Sequence, residues 1–269
     1  LSAANVFAES EKMRLDQYLA QKGLAKSRSF AKALIAEGYV KVGGQVIQKP
    51  AFEVVDEESV VVTGVPYTYV SRGGVKLEAA LDRFQIDPAG MCALDIGASS
   101  GGFTDCLLRR GVRRVYAVDS GAGQLAPSLA EDARVVSMER CNARTLQAAD
   151  IGEACDICVM DVSFISQKLI LPSLVSLIKD NGILISLIKP QFECGRSGLS
   201  KNGIVKDWRF HREAIRGVIA CAAALGLAPT GLIPSPVQGG DGNREFLLYC
   251  RLGGETRIDE QKILEVCRQ

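Results

Sequence analysis

Lys189 ends the apolar run "ILISLIK". An amine at a strand end is either the point where the strand meets water or a group delivered to a site, because lysine is rarely buried without a partner. Asp161 ends "CDICVMD" in the same manner, and Glu245 stands at the start of "REFLLYC". Lys76 lies within "GGVKLEAALDRF", a helical pattern just ahead of the apolar run "MCALDIG". Taken singly, each is an ordinary solvated residue. Amines and carboxylates gathered at one edge could instead take up a proton and orient the group that releases it.

A second chemical feature is the glycine turn in "LDIGASSGGFTDCLL". A strand, a glycine turn and a helix start form a nucleotide-binding loop, because glycine lets backbone approach a ligand closely. Gly97, Gly101 and Gly102 do not make G-x-G-x-x-G, and the Lys-Ser/Thr of a P-loop is missing. Asp119 ends the next strand, "YAVD", where an acid can accept hydrogen bonds from ribose hydroxyls. A turn ill-suited to pyrophosphate, followed by a ribose acid, fits S-adenosylmethionine. A dinucleotide is the rival ligand, disfavoured by the glycine pattern.

These residues need a sheet to bring them together. From "MCALDIG" onward apolar strands alternate with helical patterns, which predicts an α/β fold with a mostly parallel sheet. Strands are expected at "MCALDIG", "RRVYAVD", "ARVVSM", "CDICVMD", "GILISLIK", "TGLIPSPVQ" and "REFLLYC". The last two follow the alanine-rich stretch "VIACAAALGLA" with only a loop between them, so one must run antiparallel. In a doubly wound sheet, ligands bind beyond the carboxyl ends of the parallel strands. Asp161 and Lys189 would face that crevice, and Glu245 would join them if its strand is the antiparallel one.

Residues 12–63 read as a separate small domain of helix, helix, hairpin and strand. "MRLDQYLAQKG" and "RSFAKALIAEG" stop at Gly23 and Gly38, and Ser27 is the N-cap of the second helix. "YVKVGGQVIQ" is a hairpin turning at Gly43-Gly44. Arg28 and Lys32 share a helix face, and Lys26 stands at that helix's entrance, where free N–H groups favour phosphate. Residues 64–71 read as a linker and 72–269 as the larger domain.

The pattern "RLDQYLAQKGLAKSRSFAKALIAEGYVKVGGQVI" resembles the S4 RNA-binding domain, including "S-R" at the second helix and the hairpin "GYVKVGG". Together, "DIGASSGGFTDCLL", "YAVD", "MDVSFIS", "LIKPQFE" and "GNREFLLY" resemble the TlyA family, also called hemolysin A. That family joins an S4 domain to an FtsJ-like methyltransferase domain. The resemblance implies a class I, Rossmann-like methyltransferase with a mostly parallel seven-stranded sheet, preceded by a small α+β S4 domain. It also implies S-adenosylmethionine-dependent 2′-O-methylation of ribosomal RNA, at cytidine, with ribosomal subunits as partners.

By the same resemblance, Asp95, Gly97, Ser99, Gly101, Gly102, Phe103, Asp119 and Asn142 would line the cofactor site. The family's Lys-Asp-Lys-Glu tetrad maps onto Lys76, Asp161, Lys189 and Glu245. Lys189 would be the general base, Lys76 would position and tune the nucleophile, and the two acids would fix the geometry. Arg14, Lys26, Ser27, Arg28, Lys32 and Lys41 would contact RNA through phosphate and shape.

Bulk properties agree with this. The chain has 269 residues, is 47% hydrophobic and 23% charged, and carries a net charge of +1, which suits a globular protein with one large and one small domain. Nine scattered cysteines suit a reducing cytoplasm. The one close pair, Cys155 and Cys158, is spaced to opposite faces of a strand, with no histidine nearby, so no metal site is expected. His211, the only histidine, reads as a helix-surface residue.

Residues 1–10 lack the pattern of a secretory leader, and a first residue of Leu leads us to expect a native start that is missing or lies elsewhere. The longest near-apolar run falls short of the roughly 20 residues of a membrane span. Pore formation is therefore disfavoured. A non-catalytic RNA-binding or ribosome-assembly factor is the other alternative to an enzyme.

Overall fold

A computed structural model of the protein describes residues 12–25, 27–54, 59–64, 68–239 and 242–268. Lys26, expected on the RNA-binding face, lies outside the described residues. The chain divides into two units, Leu1–Thr68 and Tyr69–Gln269.

In the smaller unit β1 (Met13–Arg14) leads into α1 (Leu15–Gln21), α2 (Arg28–Ala36), β2 (Val40–Val42), β3 (Gln45–Val46), β4 (Glu53–Val54) and β5 (Val60–Val62). Leu15, Tyr18 and Leu19 of α1 pack against Leu34 and Ile35 of α2 and against Val40 and Val54. Ser27 caps α2, its Oγ accepting from Phe30 N at 3.1 Å. Strand β2 pairs antiparallel with both β3 and β5. The β2–β3 turn has Gly43 at φ +58° and Gly44 at φ +81°, the left-handed pair that a two-residue hairpin demands. A second ladder, β1 with β4, joins the start of the domain to its later half and was not legible in the sequence.

The larger unit runs α3 (Gly73–Phe84), β6 (Cys92–Ile96), α4 (Gly102–Arg109), β7 (Arg114–Val118), α5 (Pro127–Ala130), β8 (Val135–Met138), β9 (Cys155–Met160), α6 (Leu171–Leu174), β10 (Ile178–Ile188), α7 (Pro190–Glu193), α8 (Trp208–Ala224), β11 (Leu227–Pro234), β12 (Phe246–Leu252) and α9 (Glu260–Arg268). Its seven strands lie in the order β11-β12-β10-β9-β6-β7-β8. Pairs from β10 to β8 are parallel, and β12 runs antiparallel to both β10 and β11.

Alternation splits each central strand between two cores. Leu94 and Ile96 face the helices α6, α8 and α9, and Ala93 faces α3 and α4. Strand β10 is longer than its apolar run, because it takes in the polar residues 179–181 and Gly182 ahead of Ile183. Tyr69 and Val70, expected in the linker, are fastened to the larger unit: Tyr69 Oη donates to Glu78 at 2.7 Å and Val70 N to Asp105 at 2.8 Å.

Two expectations are overturned. His211 is 2% exposed rather than on a helix surface, because Nε2 lies 3.1 Å from Val205 O and the ring packs against Phe246. Burial pushes its pKa down. Cys155 and Cys158 pack in one core cluster rather than on opposite faces. Cys155 is the first residue of β9, beside a register shift in β10 where strict alternation is lost.

Among the described residues, no group of His, Cys, Asp and Glu side chains could hold a metal ion. No helix there is long and apolar enough to cross a membrane.

Candidate active site

Sheet register carries the four charged residues to one edge. Ile96 pairs with Met160, and Met160 with Ser186, so β6, β9 and β10 end close together. Ile188 pairs with Phe246 of the antiparallel β12, so Lys189 and Glu245, the next residues outward, leave the sheet at the same edge. Lys189 Nζ lies 2.6 Å from Asp161 Oδ1 and donates to Ser163 Oγ at 2.8 Å. Lys76, on α3, is buried with its Nζ 2.5 Å from Glu245 Oε2. Each amine thus has its own carboxylate. The edge presents two ion pairs, one deeply buried and one at the rim of a cavity.

That cavity, about 470 Å³, is lined by Gly97, Ser99, Asp119, Asn142, Asp161 and Ser163 among others. Gly97 has φ +81°, and a Cβ there would collide with the carbonyl oxygen of Asp161, so only glycine lets the turn lie this close to the end of β9. Ser99 sits in the left-handed region at φ +47°, and its N donates to Asp119 Oδ2 at 2.8 Å. Asp119 Oδ1 accepts from Gly121 N at 2.7 Å. The acid therefore ties the glycine turn to the loop after β7, with each oxygen keeping capacity for another donor. Asn142 lines the cavity and also caps a short turn, its Oδ1 accepting from Arg144 N at 3.1 Å.

Asp95, Gly101, Gly102 and Phe103 are buried and do not line the cavity; they shape the turn from beneath. Asp95 Oδ2 accepts from Thr104 Oγ1 at 2.6 Å, and Oδ1 is buried without a hydrogen bond. Burial, with Asp161 and Asp119 adding negative charge nearby, pushes its pKa up to about 7.

The cavity and its donors suit a nucleoside cofactor. A carboxylate and an amide face an apolar floor that includes Val118 and Ile170, and the glycine turn leaves backbone accessible. Ser120, Gln124, Ser163 and Phe164 also line it, and sequence reasoning did not single them out. Ser163 and Phe164 lay inside the motif "MDVSFIS" and carried a signal. A large aromatic three residues beyond a strand-end acid is out of place unless something covers it. Phe164 is 92% exposed, at φ +63°, with its ring 5.2 Å from that of Phe192.

On the smaller unit the basic residues separate. Arg14 Nε and Arg28 Nη2 bind the fully buried Asp16 at 3.0 and 3.1 Å. Burial works against the Asp16 charge, but the two guanidiniums outweigh it and hold its pKa below the usual carboxylate range. Ser27 is spent on the helix cap. Lys32 is exposed and Lys41 half-buried, both on the surface.

Residues 69–252 match the FtsJ-like methyltransferase family, and residues 13–60 match the S4 domain. The 16S/23S rRNA (cytidine-2′-O)-methyltransferase TlyA of Mycobacterium tuberculosis is 42% identical over 243 residues, 90% of this chain and 91% of that one. Hemolysin A of Brachyspira hyodysenteriae is 39% identical over 239 residues, 88% of this chain and 99% of that one. The solved structure of a hemolysin-named protein from Streptococcus thermophilus superposes with a TM-score of 0.78 at 39% identity, covering 97% of this chain and 96% of that one.

Proposed function

The chain belongs to the FtsJ-like methyltransferase family, with an S4 domain ahead of the catalytic unit, and on that footing we propose that it methylates a ribose 2′-oxygen of ribosomal RNA at a cytidine, using S-adenosylmethionine. The observation that carries this reading is the pair of Lys–carboxylate contacts, Lys76–Glu245 and Lys189–Asp161, at the sheet edge that holds the cofactor-sized cavity. Relatives named as rRNA (cytidine-2′-O)-methyltransferases support the choice of RNA and of cytidine.

When bound, S-adenosylmethionine supplies a methyl group already activated by its sulfonium charge, so the protein's task is the nucleophile. Asp119 and Asn142 would hold the cofactor by its ribose and base. A ribose hydroxyl attacks poorly until its proton leaves, and the neutral Lys189 amine would take that proton. The ammonium so formed is received by Asp161 Oδ1 at 2.6 Å and Ser163 Oγ at 2.8 Å, partners already in place. Lys76, held by Glu245, would orient the same hydroxyl as a fixed donor. Phe164 offers an exposed face on which the target base can stack. Lys32 and Lys41 would contact RNA phosphates from the S4 domain.

The test is to incubate ribosomal subunits with methyl-labelled cofactor and map the label. A 2′-O-methyl on ribosomal RNA is expected. Label on a base, or none on either subunit, would overturn the proposal.

A further inference from the structure

Glu193 closes the single helical turn that follows Lys189, and its side chain is only 1% exposed. It does not line the cavity. A buried carboxylate is costly unless donors surround it, and a fold needing only stability does as well with an apolar residue. Here the donors all come from the loop that leaves β9. Ser166 Oγ donates to Oε2 at 2.6 Å and Gln167 N to Oε1 at 2.7 Å, with Lys168 Nζ 3.7 Å from Oε2. Burial pushes the Glu193 pKa up, and these donors work against that.

The brace continues through Gln167, which is itself buried. Its Nε2 donates to Leu187 O at 2.5 Å, and Ser186 Oγ donates to its Oε1 at 2.5 Å. The loop is therefore fastened to the chain on both sides of Lys189, at 186–187 and at 193. Ser163, the acceptor for the Lys189 amine, stands at the head of the same loop.

We infer that Glu193 is a positioning residue for the methyl-transfer base: by pinning Ser166 and Gln167 it sets where Ser163 and Asp161 hold the Lys189 amine. This rests on the proposed function, with Lys189 as base. An error of about 1 Å in such a group can cost on the order of 100-fold in rate. The residue touches no reacting atom, so its effect must pass through Lys189.

A double-mutant cycle on the full chain tests this, with single-turnover methyl transfer to ribosomal subunits, cofactor affinity by calorimetry and thermal unfolding as readouts. Glu193→Ala should lower the transfer rate about tenfold while cofactor affinity stays put. In a Lys189→Met background the same change should cost no further rate. Glu193→Gln, which keeps an acceptor for Gln167 N–H, should recover most of the loss.

An equal loss in both backgrounds, or no loss in either, would overturn the inference while leaving the base assignment intact. Full activity of Lys189→Met would sink the base assignment, and the positioning role with it. If Glu193→Ala does not fold, Ser166→Ala removes one anchor and runs through the same cycle, with a loss of a few-fold expected only when Lys189 is present.

Discussion

Lys76 and Glu245 stand 169 residues apart in the chain and meet in an ion pair of 2.5 Å, at 7% and 4% exposure. Removing one partner of such a pair leaves an uncompensated buried charge, which typically costs about 3–5 kcal/mol. Lys76→Met alone should destabilise the larger unit by that order, and Lys76→Met with Glu245→Leu should recover much of it. Denaturant unfolding checks both. A single mutant as stable as the parent would mean that the pair is open to water.

Lys189 separates a base from a mere positive charge. Lys189→Met should reduce methyl transfer by roughly 100-fold or more, the range for losing general base catalysis. Lys189→Arg should do almost as badly, because guanidinium stays protonated and cannot accept the proton. Single-turnover rates on ribosomal subunits decide the matter. An active arginine variant would move the base role to Lys76.

Asp119→Ala removes the ribose acid and also the acceptor for Ser99 N and Gly121 N. Cofactor affinity should fall by on the order of 1.5–3 kcal/mol. Calorimetry with S-adenosylmethionine measures it, and unchanged binding by a folded variant would exclude Asp119 from the site.

Asp95 links stability to pH. Its folded pKa of about 7 lies above the usual unfolded value of about 3.9, so the native state holds a proton that the unfolded chain has lost. The stability that this contributes is full below about pH 4 and lost as pH rises through about 7. Asp95→Asn still accepts from the Thr104 hydroxyl and should flatten that decline. The difference between the two proteins should grow by a few kcal/mol from about pH 4 to 8. Parallel pH profiles from urea melts would contradict it.

In the S4 domain, Lys32→Ala with Lys41→Ala should weaken ribosomal RNA binding. The slope of log affinity against log salt should flatten by roughly 0.7–0.9 for each phosphate that is no longer neutralised. Arg28→Ala should instead lower the melting temperature, because it strips a partner from the buried Asp16. If Arg28→Ala leaves stability untouched and only RNA affinity falls, Arg28 belongs with the lysines.

Much of this was legible locally. The strand ending at Lys189, the glycine turn, the helix at Lys76 and the Gly43-Gly44 hairpin each depend on periodicity or turn chemistry within a few residues. The family pattern then named the four residues of the edge. It did not say how they pair. Lys189 takes Asp161 and Lys76 takes Glu245 because strand order and the antiparallel register of β12 bring those ends together.

What the sequence left unread has the same origin. Arg28, expected to contact RNA, also pairs with Asp16 on the neighbouring helix. His211 sat among charges in the sequence, but Val205 and Phe246 enclose it. Glu193 drew no notice, because its donors lie in a loop 26 and 27 residues earlier. A side chain's secondary structure follows from its immediate neighbours in the chain. Its partners are chosen by which faces the sheet must bury, and that is settled only when distant strands find their register.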